Sequence, residues 1–261
     1  MTEQHDPLSF KSVIAGLLVT ILGGVVVAYL VGEGRFAHHN QEQQNQAQNN
    51  QETSSKPLTS YSKSGKSAYF KTLTLAEIDA LLEKVKAAPL VGVADDEVGI
   101  IETELGRIVL GFYPDVAPQH CQAFKRLANA GFYDGTTFHR VVPSFIIQGG
   151  DILSRDADSS NDGTGTAGFR LPAEFSSLQH DRGTLSMARL PSDVNSAGSQ
   201  FFICVAPSWQ LNGQYTIFGR VLEGMDVVDQ IVATSGTNTQ KQNPDNPVVM
   251  KKVRVLKQNE L

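Results

Sequence analysis

The sequence predicts a mainly β domain that carries two helices and follows an apolar N-terminal segment. Short apolar runs, broken by glycine and proline, fill most of the region 97–258. Two stretches inside this region show helical periodicity instead, and residues 12–32 contain no charged side chain. The periodicity alone leaves open whether the strands close into a barrel or stack as a sandwich.

The net charge and the cysteine count argue against several classes of function. The 261-residue chain has a net charge of −5, and the absence of a basic cluster argues against nucleic acid as a partner. Only two cysteines occur, Cys121 and Cys204, and no Cys/His spacing typical of a metal site is present. We therefore expect no metal and no cofactor. Two buried thiols are favoured, and a disulfide between them stays open.

Residues 12–32 are predicted to form a transmembrane helix behind a short tail, residues 1–11. About twenty residues of helix span the hydrocarbon core of a bilayer. A cleaved signal peptide is the competing interpretation because Lys11 precedes the apolar run, but no Ala-x-Ala-like site follows it. With Lys11 before the span and Arg35 after it, the charge rule leans towards a domain outside the cytoplasm, in the periplasm or at the cell surface.

Residues 33–67 are rich in Gln and Asn and are predicted to be a flexible linker. In the following segment, 68–96, Thr74 and Glu77 form the pattern of a capping box, and Pro89 prevents a helix from continuing. Apolar residues recur between them at helical spacing: Leu75, Ile78, Leu82 and Val85. Either the neighbouring domain or a partner protein covers this apolar face.

Within the region 97–258, the first apolar run reads as a hairpin that turns at residues 104–106. Pro118 opens a predicted helix that ends at Gly131, and a second helix follows Gly224. The inward residues of the first helix are Cys121, Phe124, Leu127 and Ala128. Residues 248–256 supply a closing strand.

Three motifs follow one another in the domain. The first is Phe-His-Arg-Val-Val-Pro-Ser-Phe-Ile-Ile-Gln-Gly-Gly-Asp at residues 138–151, the second Gly-Ser-Gln-Phe-Phe-Ile at 198–203, and the third Gln-Tyr-Thr-Ile-Phe-Gly-Arg-Val at 214–221. In this order they resemble the cyclophilins, which are peptidyl-prolyl cis-trans isomerases. The resemblance implies a closed eight-stranded antiparallel barrel with a helix at each mouth. Phe201 and Phe202 then divide between barrel interior and binding face, because neighbours on a strand point opposite ways.

The resemblance also assigns residue roles. It implies that Arg140 donates to the prolyl nitrogen and that Gln148 binds a substrate carbonyl and steadies the arginine. The other matching positions form the predicted substrate-binding set: His139, Phe145, Ile146, Ala188, Gln200, Phe202, Leu211 and Tyr215. For His139, packing and pocket lining are both open, and no general base is needed.

Several positions depart from the animal cytosolic pattern. Arg189 stands where Asn is common, Tyr215 replaces a His, and Ile146 replaces the more usual Met. Gln210 falls where Trp is frequent, with Trp209 one residue early. The Gln-Tyr-Thr-Ile-Phe-Gly run of the third motif and Arg189 after the Met-Ala pair look more like bacterial cyclophilins.

The expected function is isomerisation of X-Pro bonds in polypeptides, which assists protein folding near the membrane, by a protein expected to be a monomer. The alternative is a membrane-tethered module or chaperone that binds Pro-containing segments with incidental turnover. The joint presence of Arg140 and Gln148 favours the enzyme, because a pure binder has no need of the arginine.

Overall fold

The computed structural model describes residues 72–156, 158–236 and 243–260. In this part of the chain, eight strands form one antiparallel sheet flanked by helices. The helices are α1 (Leu75–Ala87), α2 (Pro118–Ala130) and α3 (Met225–Thr234). The strands are β1 (Glu97–Glu102), β2 (Arg107–Phe112), β3 (Arg140–Val142), β4 (Ile146–Gly149), β5 (Thr184–Met187), β6 (Phe201–Cys204), β7 (Ile217–Glu223) and β8 (Lys252–Lys257).

The predicted transmembrane helix and linker, residues 12–67, lie outside the described residues. Of the helices in the described ranges, none combines the length and the apolar character needed to cross a membrane.

The sheet runs in the order β3-β4-β6-β5-β7-β2-β1-β8, which confirms an eight-stranded antiparallel sheet with helices but not the predicted closed barrel. Among the described residues, no ladder joins the edge strands β3 and β8. One isolated bridge links Thr137 to Val249 in the segments that precede them. The closing strand begins at Lys252 rather than at residue 248. Backbone hydrogen bonds of 2.8–3.0 Å join residues 135–138 to residues 248–250 around this bridge, whereas the Val253 amide in β8 donates to the side chain of Asp134 (3.0 Å).

Helix α1 begins as its local signals predict. The Thr74 hydroxyl accepts from the Glu77 amide, and the Glu77 carboxylate accepts from the Thr74 amide at 2.8 Å. Val85 is fully buried, and Ile78 and Leu82 pack on the main core. Leu75, however, is 69% exposed. The domain therefore covers most of the apolar face of α1.

Helix α2 has no cap from its own N-terminal residue, Ala117. Its free amides are satisfied from a distant loop instead. Glu174 accepts from the backbone amides of Gln119 (3.2 Å) and His120 (3.1 Å), and its carboxylate lies 2.6 Å from Nδ1 of His120. Gly131 ends the helix with φ 82°, the left-handed conformation that glycine adopts most easily.

The four strands β3, β4, β6 and β5 have two different faces. Directly paired residues on neighbouring strands share a face of the sheet. One row of paired residues points into the main core and consists of Val141, Ile147, Ile203 and Leu185. We call this the inner row. The next row points the other way and consists of Arg140, Gln148, Phe202 and Ser186. We call this the outer row.

Both cysteines are buried free thiols, so they form no disulfide with each other. Burial raises the pKa of each thiol to about 12. Cys121 and Cys204 therefore act as small apolar residues.

Candidate active site

The outer row brings together the two predicted catalytic residues and one predicted pocket residue. Arg140 is paired with Gln148, and Gln148 with Phe202. The prediction that Phe201 and Phe202 divide between the two faces is confirmed, because Phe201 belongs to the main core and Phe202 to a separate apolar cluster. The sheet therefore fixes the positions of these side chains through backbone pairing.

A small apolar cluster lies on the outer side of the sheet, separate from the main core. Its buried members are Ile146, Phe202 and Cys204, and its partly buried members are Phe145, Ala188, Leu211 and Tyr215. The Tyr215 ring meets the Phe202 ring edge to face, with centroids 5.7 Å apart. The cluster unites six of the eight predicted substrate-binding residues, and we call it the outer cluster.

A chain of hydrogen bonds holds the arginine beside the outer cluster. Arg140 Nη1 donates to Gln148 Oε1 (3.3 Å), and Gln148 Nε2 donates to Gln200 Oε1 (3.0 Å). Gln200 Nε2 donates in turn to the carbonyls of Gly163 and Gly165, each at 2.9 Å. We call this chain the amide relay. It sets the orientation of both amides, because each oxygen accepts from the preceding group and each nitrogen donates to the next.

Arg140 is half-buried, and its guanidinium carbon lies 6.0 Å from the centre of the Phe145 ring. Burial lowers the pKa of Arg140. The ordinary pKa of a guanidinium is so high that the group keeps its charge at physiological pH. The site thus presents a fixed cation at the edge of an apolar surface.

His139 is buried close to the side chain of Gln200, a member of the amide relay. It is 2% exposed, and burial, the largest influence on it, lowers the pKa of its ring. The ring is therefore neutral at physiological pH and buried within the protein. This agrees with the packing role that the sequence left open.

The departures from the animal pattern differ in burial. Ile146 is buried in the outer cluster and Tyr215 is a partly buried member of it. The Arg189 guanidinium lies 4.6 Å from the centre of the Tyr215 ring, a cation–π distance, and donates to the Gln214 carbonyl (2.9 Å). Trp209 is 63% exposed, with Nε1 3.3 Å from the Asp181 carboxylate.

A cleft of about 280 Å³ continues from the amide relay away from the outer cluster. Gln148, Gln200, Ala188 and residues 163–166 line it, with Arg189 at one side. Its lining mixes these polar side chains with apolar ones, among them Ala188 and Leu190.

Sequence reasoning missed three residues of the site: Cys204, Ser186 and His180. Cys204 is part of the outer cluster, and Ser186 is the outer-row neighbour of Phe202. The His180 ring stacks on the Phe202 ring at 6.0 Å and 17°. Strand alternation around Phe202 was the signal available for Cys204, whereas no local pattern marks His180.

No three His, Cys, Asp or Glu side chains in residues 72–156, 158–236 and 243–260 are placed to bind a metal ion.

Comparison with known proteins identifies the family. Residues 98–255 match the model of the cyclophilin type peptidyl-prolyl cis-trans isomerases. A probable peptidyl-prolyl cis-trans isomerase of Brucella abortus is 43% identical over 152 residues, which cover 56% of this chain and 77% of that protein. One from Dictyostelium discoideum is 40% identical over 159 residues, covering 60% of this chain and 93% of that protein. Relatives thus occur in bacteria and eukaryotes, so the likeness does not single out a bacterial group.

A solved structure shows the same fold. The crystal structure of a cyclophilin type isomerase from Cryptosporidium parvum, determined in the presence of the dipeptide Ala-Pro, has a TM-score of 0.54 and 30% sequence identity. The likeness covers 61% of this chain and 98% of that one. Because the family model matches more than half of the chain, the chain belongs to the cyclophilin family of peptidyl-prolyl cis-trans isomerases.

Proposed function

We propose that the outer cluster binds the proline ring of a polypeptide and that Arg140 catalyses rotation of the preceding amide bond. The observation that carries this proposal is the amide relay, which holds the Arg140 guanidinium at the edge of the outer cluster through Gln148. The Ala-Pro dipeptide present with the Cryptosporidium relative supports proline-containing polypeptides as substrates. Assistance to protein folding follows if those polypeptides are unfolded chains.

The chemistry requires no nucleophile and no general base. Rotation about an amide bond breaks its resonance, at a barrier of about 18–20 kcal/mol, and no covalent bond is made or broken. In the twisted state the prolyl nitrogen regains its lone pair. A donor from Arg140 therefore stabilises the twisted amide more than the planar one, which is catalysis by differential binding.

The amide relay holds the Arg140 guanidinium in position before the substrate binds. Because Gln148 and Gln200 tie Arg140 to the loop carbonyls, the guanidinium does not have to be ordered when the substrate arrives. The outer cluster holds the proline ring of the substrate by apolar contact. The residue before proline is left to rotate over the neighbouring cleft. When the hydrogen bond from Gln148 Nε2 to Gln200 opens, this nitrogen can donate to a substrate carbonyl instead.

The test is an isomerisation assay on a short X-Pro peptide with the full chain in detergent. Arg140→Ala is expected to lower kcat/KM about 10²–10³-fold, as for loss of one preorganised donor. Arg140→Lys should also be poor because an ammonium lacks the rigid fork of the guanidinium. The matched control is Arg220→Ala, another strand arginine, which is exposed on β7 and should leave activity unchanged.

Peptide binding without turnover in the wild-type protein would favour the alternative, a Pro-peptide binding module. Near-normal activity of folded Arg140→Ala would refute the role of the arginine. In both cases the peptide Kd, measured by NMR titration, separates loss of binding from loss of catalysis.

We propose further that residues 12–32 anchor the protein in a membrane, with a monomeric isomerase domain outside the cytoplasm. The support is the length and lack of charge of this segment and the Gln/Asn-rich linker after it. The anchor is expected to resist extraction by alkaline carbonate. A mature N-terminus found beyond residue 32 would indicate a cleaved signal peptide, and protection of the domain from external protease on spheroplasts would place it in the cytoplasm.

A further inference from the structure

His180 lies directly behind the outer cluster, and the mechanism above gives it no role. Its ring is fully buried. It stacks on Phe202, whose other neighbour is the edge of Tyr215. The central ring of the outer cluster is thus held between two aromatic partners.

The two ring nitrogens of His180 contact two further elements. Nδ1 lies 3.0 Å from Asn212 Oδ1, and Nε2 lies 3.1 Å from the Ser186 hydroxyl. Asn212 directly follows Leu211, a member of the outer cluster, and Ser186 is paired with Phe202 across the sheet. The His180 side chain therefore contacts the segment that carries Leu211 and the strand that is paired with Phe202.

A third pocket residue is joined through the same hydroxyl. Ser186 Oγ donates to the Thr216 carbonyl at 2.8 Å, and Thr216 follows Tyr215 in the chain. The Ser186 hydroxyl has a single proton, so it donates either to the Thr216 carbonyl or to Nε2 of His180, and the segment that carries Tyr215 is joined in the first arrangement.

The hydrogen bonds also determine the tautomer of the ring. Asn212 Oδ1 accepts from the His180 backbone amide at 2.8 Å, so the oxygen faces the ring and Nδ1 must carry the proton. Burial lowers the pKa of His180, so the ring is neutral and Nε2 is an acceptor. The Ser186 proton then has two acceptors within reach, Nε2 and the Thr216 carbonyl. That carbonyl also accepts from the Met187 amide (3.0 Å), so it stays satisfied when Ser186 turns to the ring.

We propose that His180 is a positioning residue that sets the shape of the proline pocket by fixing Phe202 against Tyr215 and Leu211. This inference rests on the proposed function, because it assumes that the outer cluster receives proline. His180 does not touch the substrate. It acts through the stacked ring and through the bonds to Ser186 and Asn212.

Two substitutions separate the stack from the hydrogen bonds. His180→Phe keeps an aromatic ring against Phe202 but removes both ring nitrogens, whereas His180→Gln keeps a polar amide and removes the ring. An aromatic pair contributes about 0.5–1.5 kcal/mol, so His180→Gln is expected to raise the Kd and KM for an X-Pro peptide about two- to tenfold. His180→Phe should raise them less, and kcat should stay within about twofold in both because Arg140 and its relay are untouched.

His120→Gln is the matched control. His120 is equally buried, lies on α2 and contacts the Glu174 carboxylate, and its hydrogen bonds reach no residue of the outer cluster. Its replacement is expected to lower the melting temperature but to leave Kd and KM unchanged in the folded protein. An unchanged Kd for the peptide in folded His180→Gln and His180→Phe would overturn the proposal. So would a His120→Gln variant with the same rise in Kd.

The tautomer of the His180 ring can be measured independently of catalysis. Nitrogen-15 spectra of the wild-type protein at neutral pH should show Nδ1 protonated and Nε2 unprotonated for His180, and the opposite tautomer would overturn the bonding scheme. Because Kd is measured without turnover, a protein that binds proline peptides but fails to isomerise them would refute the proposed function while still testing His180.

Discussion

The inner and outer rows of the same four strands show how one sheet provides both stability and a binding site. The inner row is entirely aliphatic: Val141, Ile147, Ile203 and Leu185, all buried in the main core. The outer row alternates with it residue by residue and carries Arg140, Gln148, Phe202 and Ser186. The backbone pairing that aligns the core therefore also aligns Arg140 and Gln148, the groups proposed to act in catalysis.

The difference between the rows lies in what covers them. The inner row faces a continuous core with an aromatic centre, where Phe201 contacts Phe124, Tyr133 and Phe138. The outer row faces a small apolar cluster with a polar border. An apolar cluster too small to be a core, with a fixed cation at its edge, is suited to bind a ligand. Substitutions in the two rows should accordingly have separable effects.

The sharpest separation is expected between Phe201→Ala and Phe202→Ala. Loss of Phe201 leaves a cavity in the main core and should lower the free energy of unfolding by about 3–5 kcal/mol. Loss of Phe202 should cost less, about 2–3 kcal/mol, because the outer cluster has only three buried members, but it should abolish most peptide binding. Denaturant unfolding followed by near-ultraviolet circular dichroism, together with the peptide Kd, measures both effects.

Equal destabilisation by the two substitutions would show that the outer cluster is part of the core. Retained peptide affinity in Phe202→Ala would show that it is not the pocket.

The sequence predicted those parts of the fold that depend on local signals. The capping box at Thr74, Pro118 at the start of α2 and Gly131 at its end each act within a few residues, and all three are observed. The motifs around Arg140 and Phe202 likewise placed most of the site. Strand alternation was enough to divide Phe201 from Phe202.

The parts that sequence did not predict depend on contacts between distant residues. In the described part of the chain β3 and β8 are not paired, and the Val253 amide of β8 donates to the Asp134 side chain; no pattern near either residue shows this. His180 gains its place from Asn212, 32 residues later, and from Phe202. Both depend on the folded arrangement of the sheet.

A second substitution tests the polar border of the outer row. Gln200→Leu removes the amide that accepts from Gln148 and donates to the carbonyls of Gly163 and Gly165. We expect kcat/KM to fall about tenfold as Arg140 loses its preorganisation, and stability to fall by only about 1 kcal/mol. Gln230→Leu, on the exposed surface of α3, is the control. A kcat/KM equal to the wild type in Gln200→Leu would show that Gln148 alone suffices to hold the arginine.

The smallest predicted effect is a pH-dependent change in stability. It concerns Asp162, in the loop whose Gly163 and Gly165 carbonyls accept from Gln200. Burial raises the pKa of Asp162 to about 7, and the charges of Asp151, Asp156 and Asp158 add to this rise. An unfolded Asp titrates near 4, so from about pH 4 to pH 7 the folded state binds more protons than the unfolded state. Stability therefore falls as pH rises through this window, and the cost is complete above about pH 7.

Asp162→Asn should remove the loss of stability that ionisation of Asp162 causes, because the amide carries no charge. Because Asp162 is partly exposed, we expect a gain of about 1 kcal/mol at pH 8 and no difference near pH 4, measured by thermal unfolding at both values. Asp158→Asn is the control of opposite sign, since hydrogen bonds to Ser160 lower the pKa of Asp158, and it should lose stability at pH 8. A pH-independent effect of Asp162→Asn would contradict this account.

The cap of α2 has a consequence for the order in which the chain folds. Gln119 and His120 obtain their acceptor from Glu174, up to 55 residues further along. During synthesis from the N-terminus, the helix therefore emerges well before the carboxylate that completes its first turn. Until then its exposed amides weaken it, and closing so long a loop is an entropic cost that must be met before the bond forms. A nascent chain that ends before residue 174 should consequently hold α2 only loosely, so the synthesis of this loop sets the point at which α2 becomes stable.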